Sequence, residues 1–285
     1  MPVAETVATR AAEAPRPRAA RPVLELDRVT KRFGAMRAIR EVSFPAEAGD
    51  FVAVVGPSGS GESAVLNLVS GLDAPSEGAV RPEGAPVTGP SRHVGFMLRK
   101  DLPPPWRTIR RNVEFGLEAR AVSREERRER ALRDLARCRL SDVADHDPRP
   151  LSGGMRQRAA LARTRAIDPA LVLLDEPCSA LDAQTKPRLP TGFARTIHER
   201  GVTAVLITRD LMEAVAVADR IVVLSDRPGR VLEEITVDPP HRDDPLARRL
   251  PPRANEMLTH LFELPNLDDP GEDRPAGRND REPRR

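Results

Sequence analysis

Two features predict an α/β fold with a largely parallel sheet for this chain. Short, continuous apolar runs recur between helical stretches: Phe51–Val55, Ala170–Leu174, Ala204–Ile207 and Ile221–Leu224. Unbroken runs of this length mark strands buried on both faces, and the helical stretches between them supply the crossovers that parallel pairing requires. The first run leads directly into a glycine-rich stretch, Gly56-Pro57-Ser58-Gly59-Ser60-Gly61-Glu62-Ser63, followed by a helical pattern over Ser63–Val69. Strand, glycine loop and helix in that order point successive backbone N–H groups at one place, the N-terminus of a helix, where phosphate binds readily.

Composition sets outer limits. The 285 residues suffice for one large domain or two small ones. Lys+Arg 46 against Asp+Glu 43 gives a net charge of +3, and aromatics make up 3%. Neither an electrostatic nor a stacking argument for nucleic acid follows. No apolar run approaches the roughly 18 residues that a membrane span needs. Cys138 and Cys178 lack zinc-like spacing and read as reduced thiols.

In chain order, residues 1–22 form an Ala/Pro/Arg tail without apolar period, predicted to be disordered. Leu24–Val29 alternates like a half-buried strand, Ile39–Phe44 reads as a second, and Phe33-Gly34 sits at a turn between them. From about Gly95 to Ala166 the character shifts to helix and charge. Ser123 and Glu126 make a capping box for a helix over Arg124–Leu132, whose mixed charges at i,i+4 predict a solvated, self-paired face. The stretch from Leu181 to Arg200 should be helical, yet Pro187 and Pro190 lie within it. An interior proline costs about 3 kcal/mol in a helix, so a kink is expected there. The last residues, 241–285, are predicted to be mostly disordered, with one short amphipathic helix at about 254–264.

The glycine stretch fits the P-loop pattern G-x-x-x-x-G-K-[ST] everywhere except at the lysine, where Glu62 stands. A second motif, Leu151-Ser152-Gly153-Gly154-Met155-Arg156-Gln157-Arg158, opens a helix with a hydroxyl and two glycines, presenting N–H groups and the positive dipole end to an anion. Together the two resemble the ATP-binding-cassette (ABC) ATPases, of which the second motif is the signature. Leu171–Pro177 resembles the Walker B strand of that family, and Ser179, Ala180, Leu181 and Asp182 resemble its D-loop. Gly95–Ile109 resembles the Q-loop segment. Its Pro105-Trp106-Arg107-Thr108-Ile109 run, with Asn112-Val113 and Gly116-Leu117-Glu118, looks like the nitrate/sulfonate/taurine branch of importer ATPases. The resemblance covers roughly residues 24–235.

The resemblance implies an ABC-type P-loop ATPase fold over 23–240: a RecA-like α/β core with a mostly parallel sheet, an antiparallel β lobe from the N-terminal strands, and a helical subdomain at about 96–160. It implies ATP and Mg²⁺ as cofactors. Gly56, Pro57, Ser58, Gly59, Ser60, Gly61, Glu62, Ser63 and Ala64 would wrap the phosphates. Ser63 and Asp175 would hold Mg²⁺, and Glu176 would polarise the attacking water. Leu151, Ser152, Gly153, Gly154, Met155, Arg156 and Gln157 would face the γ-phosphate held by the opposite subunit of a head-to-tail dimer. Phe33 falls where the family stacks an aromatic on adenine; a core phenylalanine beside a glycine turn explains it equally well. The implied partners are membrane permease subunits, docked through the Q-loop and helical subdomain, a solute-binding protein, and a second ATP-binding subunit, identical or different. The implied location is the cytoplasmic face of the cell membrane, held there by the permease, in uptake of a small anion or sulfonate-like solute.

Four residues depart from the family pattern, all at nucleotide-handling positions. Glu62 replaces the lysine, and Ala64 follows Ser63 where threonine is usual. Arg99 stands at the Q-loop glutamine and Arg209 at the H-loop histidine. Two unit charges ~4 Å apart interact by roughly 4 kcal/mol at an effective dielectric near 20, so exchanging Lys for Glu removes an attraction and adds a repulsion of that order. Two readings follow: an importer ATP-binding subunit impaired in hydrolysis at its own P-loop, or a non-hydrolysing pseudo-ATPase or scaffold. In an asymmetric heterodimer, either would lend its intact signature to a competent partner.

Overall fold

Residues 22–99, 103–177, 197, 201–237 and 253–264 are described by the computed structural model. Their backbone forms two sheets. Strands β1 (Leu24–Phe33), β2 (Met36–Ala46) and β4 (Glu77–Pro82) make an antiparallel sheet in the order β2-β1-β4. Strands β3 (Phe51–Val55), β5 (Val94–Met97), β6 (Leu171–Asp175), β7 (Thr203–Ile207), β8 (Arg220–Leu224) and β9 (Val231–Thr236) make the central sheet, ordered β5-β6-β7-β3-β8-β9. Pairing is parallel from β5 to β8, and β9 closes the edge antiparallel to β8. The described helices are α1 (Glu62–Ser70), α2 (Ile109–Ala119), α3 (Arg124–Arg137), α4 (Gly153–Ala166), α5 (Leu211–Val217) and α6 (Arg253–Glu263).

The central strands read as unbroken apolar runs because successive side chains serve different layers. Phe51, Ala53 and Val55 pack with Val172, Leu174, Ala204 and Leu206 into the core shared with α2, α3 and α4. Val52 and Val54 pack with Leu171, Leu173, Val205 and Ile207 on the other face, against α1 and the antiparallel sheet. Every residue of β3 and β7 is buried. The four strands read from apolar runs are thus present, each within one residue of its expected bounds, and the two N-terminal strands extend further than the alternation indicated.

Three strands depart from expectation. Gly95, Phe96 and Met97 belong to β5, paired in register with Val172, Leu173 and Leu174, so the helical layer begins only at Ile109. β4 and β9 have no counterpart in the sequence reading. Only Val80 of β4 is fully buried, and β9 alternates between half-buried and exposed residues at an edge, so neither carries an apolar run. Half of the expected capping box is present: Ser123 Oγ accepts a hydrogen bond from Glu126 N at 3.2 Å, but the Glu126 side chain does not return to Ser123 N. The Glu126 carboxylate pairs with Arg130 one turn later, the self-paired face anticipated from the charge pattern. The C-terminal helix starts at Arg253 and ends at Glu263. Cys138 is buried, and burial pushes its thiol up to about 11, which keeps it protonated and inert. Cys178, Pro187, Pro190 and the terminal tails lie outside the described residues.

The glycine loop after β3 is tied to its surroundings through backbone. A Cβ at Gly229 would lie 1.9 Å from the Ser60 carbonyl oxygen. Gly229 N donates to Ala38 O at 3.0 Å, and Arg40 N donates to Gly229 O at 2.9 Å. Ser60, Gly229 and the middle of β2 therefore form one stack with no space for a methyl group. Gly229→Ala is expected to lower stability by about 2 kcal/mol, as overpacking against a backbone atom does. Urea unfolding of the two proteins checks this; equal midpoints would show that the stack yields.

Candidate functional site

Side chains from the carboxyl ends of four neighbouring strands meet at one place. The glycine loop follows β3, Asp175 and Glu176 end β6, Arg209 lies two residues beyond β7, and Arg99 two residues beyond β5. Since the strand order is β5-β6-β7-β3, these four ends are consecutive across the sheet. Crevices of this kind are where open α/β sheets place ligands.

The loop is built for close approach. Gly61, the N-cap of α1, has φ 90°, and a Cβ there would lie 2.4 Å from Ile39 Cγ2 and 2.7 Å from Ala38 O. Only glycine fits that backbone and that gap. Ser60 N donates to Pro57 O at 3.1 Å, and Val65 N donates to Gly61 O at 3.1 Å, so loop and helix form one continuous turn. Two buried polar atoms of the loop, Ser60 Oγ and Glu62 Oε1, have no hydrogen-bond partner among the described residues. Buried polar atoms are seldom left unpaired, so two of them in one loop point to a group that the loop is shaped to receive. Arg227, which no sequence motif identified, lies against the loop from outside: its Nε donates to Gly59 O at 3.1 Å and its Nη1 reaches Met36 Sδ at 3.2 Å.

Glu62, the first residue of α1, is only 6% exposed. Burial pushes its carboxyl up to about 7; Arg209 opposes that, Glu176 and Asp175 add to it, and Arg99 again opposes it. Asp175 is likewise raised, first by burial and then by Glu176, with Arg99 and Arg209 acting against both. Glu176 is 7% exposed and sits in the left-handed region at φ 40°, held by a hydrogen bond from its N–H to Ile207 O at 2.9 Å. Both of its carboxylate oxygens are taken. Arg99 Nη2 lies 3.0 Å from Oε2, and Arg209 Nε lies 3.3 Å from Oε1. The turn carrying Arg209 is ordered by its neighbours: Thr208 donates to Glu213 Oε2 at 2.5 Å, and Asp210 caps α5 by accepting from Glu213 N at 3.1 Å.

Of the residues identified from sequence, Glu62, Asp175, Glu176, Arg99 and Arg209 thus form one electrostatic cluster. Ser63 is exposed on the first turn of α1, and Ala64 is buried beneath it. Leu151–Gln157 is elsewhere, at the start of α4. Ser152 is its N-cap, accepting from Met155 N at 3.3 Å, and Arg156 donates to the Leu151 carbonyl. Those hydrogen bonds stay within the turn that opens the helix. Phe33 is 46% exposed, with Lys31 Nζ 5.0 Å from its ring centroid, which removes the core alternative for this residue. Ser179, Ala180, Leu181 and Asp182 lie outside the described residues. No helix among the described residues is long and apolar enough to cross a membrane.

This fold and site define a nucleotide-binding cassette, and similarity to known proteins agrees. Residues 39–179 match the ABC transporter family. The chain is 40% identical over 219 residues to the nitrate import ATP-binding protein NrtD of Synechocystis, covering 76% of this chain and 82% of that one. It is 41% identical over 201 residues to the taurine import ATP-binding protein TauB of Yersinia pestis, covering 70% and 79% respectively. The dimeric post-hydrolysis structure of the ATP-binding cassette MJ0796, bound to ADP and phosphate, superposes with a TM-score of 0.67 at 34% identity, covering 76% of this chain and 99% of that one. The chain belongs to the ABC transporter family of ATP-binding proteins.

The residues present fit a nucleotide in part. The backbone of the loop and the donor of the Ser60 hydroxyl suit a phosphate, whereas the Glu62 side chain does not supply the cation that the pattern places there. Glu62 also leaves a mark on stability. A carboxyl raised from 4.5 to about 7 binds its proton more tightly in the folded chain, so its contribution to stability is lost as pH rises from about 4.5 to about 7. Glu62→Gln removes that loss. The stability of the variant relative to the parent is expected to grow by about 2 kcal/mol between pH 5 and pH 8, measured by urea unfolding at both pH values. A constant difference would mean that Glu62 is not held in this environment.

Proposed function

We propose that this chain is the ATP-binding subunit of an ABC importer for a small anion or sulfonate-like solute, impaired in hydrolysis at its own glycine loop. The similarity to NrtD and TauB supports the import class. The observation that carries the impairment is the pairing of Glu176 with both Arg99 and Arg209. With a guanidinium lying against each of its carboxylate oxygens, Glu176 has neither oxygen free to accept a hydrogen bond from an attacking water. In this reading Gly56–Ala64 takes the phosphates of ATP, Ser63 and Asp175 hold Mg²⁺, and Phe33 lies against adenine. The permease docks on the exposed apolar side chains around the Q-loop segment, Leu98, Trp106 and Phe115, with Trp106 80% exposed. Asn112 shapes this segment by donating through Nδ2 to Pro104 O, Arg107 O and Thr108 O. A solute-binding protein would deliver the solute to the permease.

ATP binding and turnover by the purified chain, beside Glu62→Lys, test the reading. The substitution is expected to raise ATP affinity more than tenfold, because a buried carboxylate gives way to a cation facing phosphate. It is not expected to restore turnover, since Glu176 stays neutralised. Rapid steady-state hydrolysis by the parent or by this single variant would refute the impairment.

One observation favours the second reading, in which the silent site belongs to an asymmetric dimer. The start of α4 is intact and Ser152 is exposed at its N-terminus, although the chain's own glycine loop has lost its cation. Such a chain suits a heterodimer in which it lends the signature to a competent partner. Purified from its host with that partner, the complex should lose its ATPase activity on Ser152→Arg. Isolation of the chain only with itself would argue for a homodimer and simple decay.

A further inference from the structure

The cation absent from the glycine loop has two counterparts across the cleft. Of the positive charges acting on Glu62, Arg209 has the larger effect and Arg99 the next. Each arginine is tied to Glu176 through one nitrogen, Nη2 of Arg99 and Nε of Arg209, and both side chains are nearly half exposed. Among the described residues neither has a second carboxylate within ion-pair distance. A guanidinium carries five N–H donors in a rigid fork, so most donors of both groups remain open to an anion in the cleft. Glu176 is suited to hold them: it is buried, its backbone is pinned to Ile207, and it directs one oxygen at each arginine.

We propose that Glu176 anchors Arg99 and Arg209 as a two-arginine clamp on the terminal phosphate of a nucleoside triphosphate, taking over the cation role that Glu62 cannot fill. Glu176 is then a positioning residue for the arginines. The proposal rests on the nucleotide-binding reading above and assigns the charge that such binding needs. It reverses an expected sign. If Glu176 only faced the phosphates, removing its negative charge would tighten binding of a triphosphate; as the anchor of two cations, its removal loosens the clamp and weakens binding.

The test titrates the full chain with ADP and with the non-hydrolysable triphosphate adenylyl imidodiphosphate. Arg99→Gln and Arg209→His are each expected to weaken the triphosphate at least tenfold while changing ADP less than threefold, because the diphosphate stays within the backbone cradle. Glu176→Gln should weaken the triphosphate about fivefold. The split between triphosphate and diphosphate is a readout that a merely misfolded variant does not produce. Tighter triphosphate binding by Glu176→Gln, or unchanged triphosphate affinity in both arginine variants, overturns the clamp alone and leaves nucleotide binding standing. Failure of the parent chain to bind either nucleotide overturns the clamp and the nucleotide reading together.

Discussion

A parallel sheet buried on both faces dictates where this molecule can do chemistry. Side chains of β3, β6 and β7 point alternately into two apolar cores, and neither core tolerates an unpaired charge. Charged groups can therefore emerge only where the strands end. Five parallel strands end on the carboxyl side, and four consecutive exits carry the groups of the site: Arg99, Asp175 with Glu176, Arg209, and the glycine loop. The antiparallel sheet and the helical layer cover the two faces and so preserve that arrangement.

Within the cluster the charges are interdependent. Three carboxylates, Glu62, Asp175 and Glu176, face two guanidiniums. A lysine with two carboxylates, as the motif pattern would have it, leaves the same excess of one negative charge. Glu62 is therefore not an isolated lesion. Its raised carboxyl, the two ion pairs on Glu176 and the raised carboxyl of Asp175 belong to one set of interacting charges. Arginine suits that set because it stays charged wherever it is buried and can serve two acceptors at once.

The sequence was most legible where the burial pattern is strongest. The central strands stood out because both faces are apolar, and the start of α3 because Ser123 caps it within four residues. Strand β5 escaped because it is four residues long and contains Gly95, beside a run of charge that reads as helix. β4 and β9 owe their conformation to pairing with β1 and β8 rather than to their own side chains, which are mostly polar. Phe33 had two readings of equal merit, and only its exposure removed the core one.

By themselves the residues determined the class of protein and the departures from its pattern, since glycine loop, signature and carboxylate strand are each recognised over a few consecutive positions. The two helix starts are set locally, by Gly61 in the left-handed region before α1 and by the Ser152 cap before α4. The tertiary structure alone decided that Arg99, Glu176 and Arg209 make one ion-paired unit opposite Glu62. These residues lie far apart along the chain, and the strand order that makes them neighbours is set by how the sheet packs, which linear spacing does not encode.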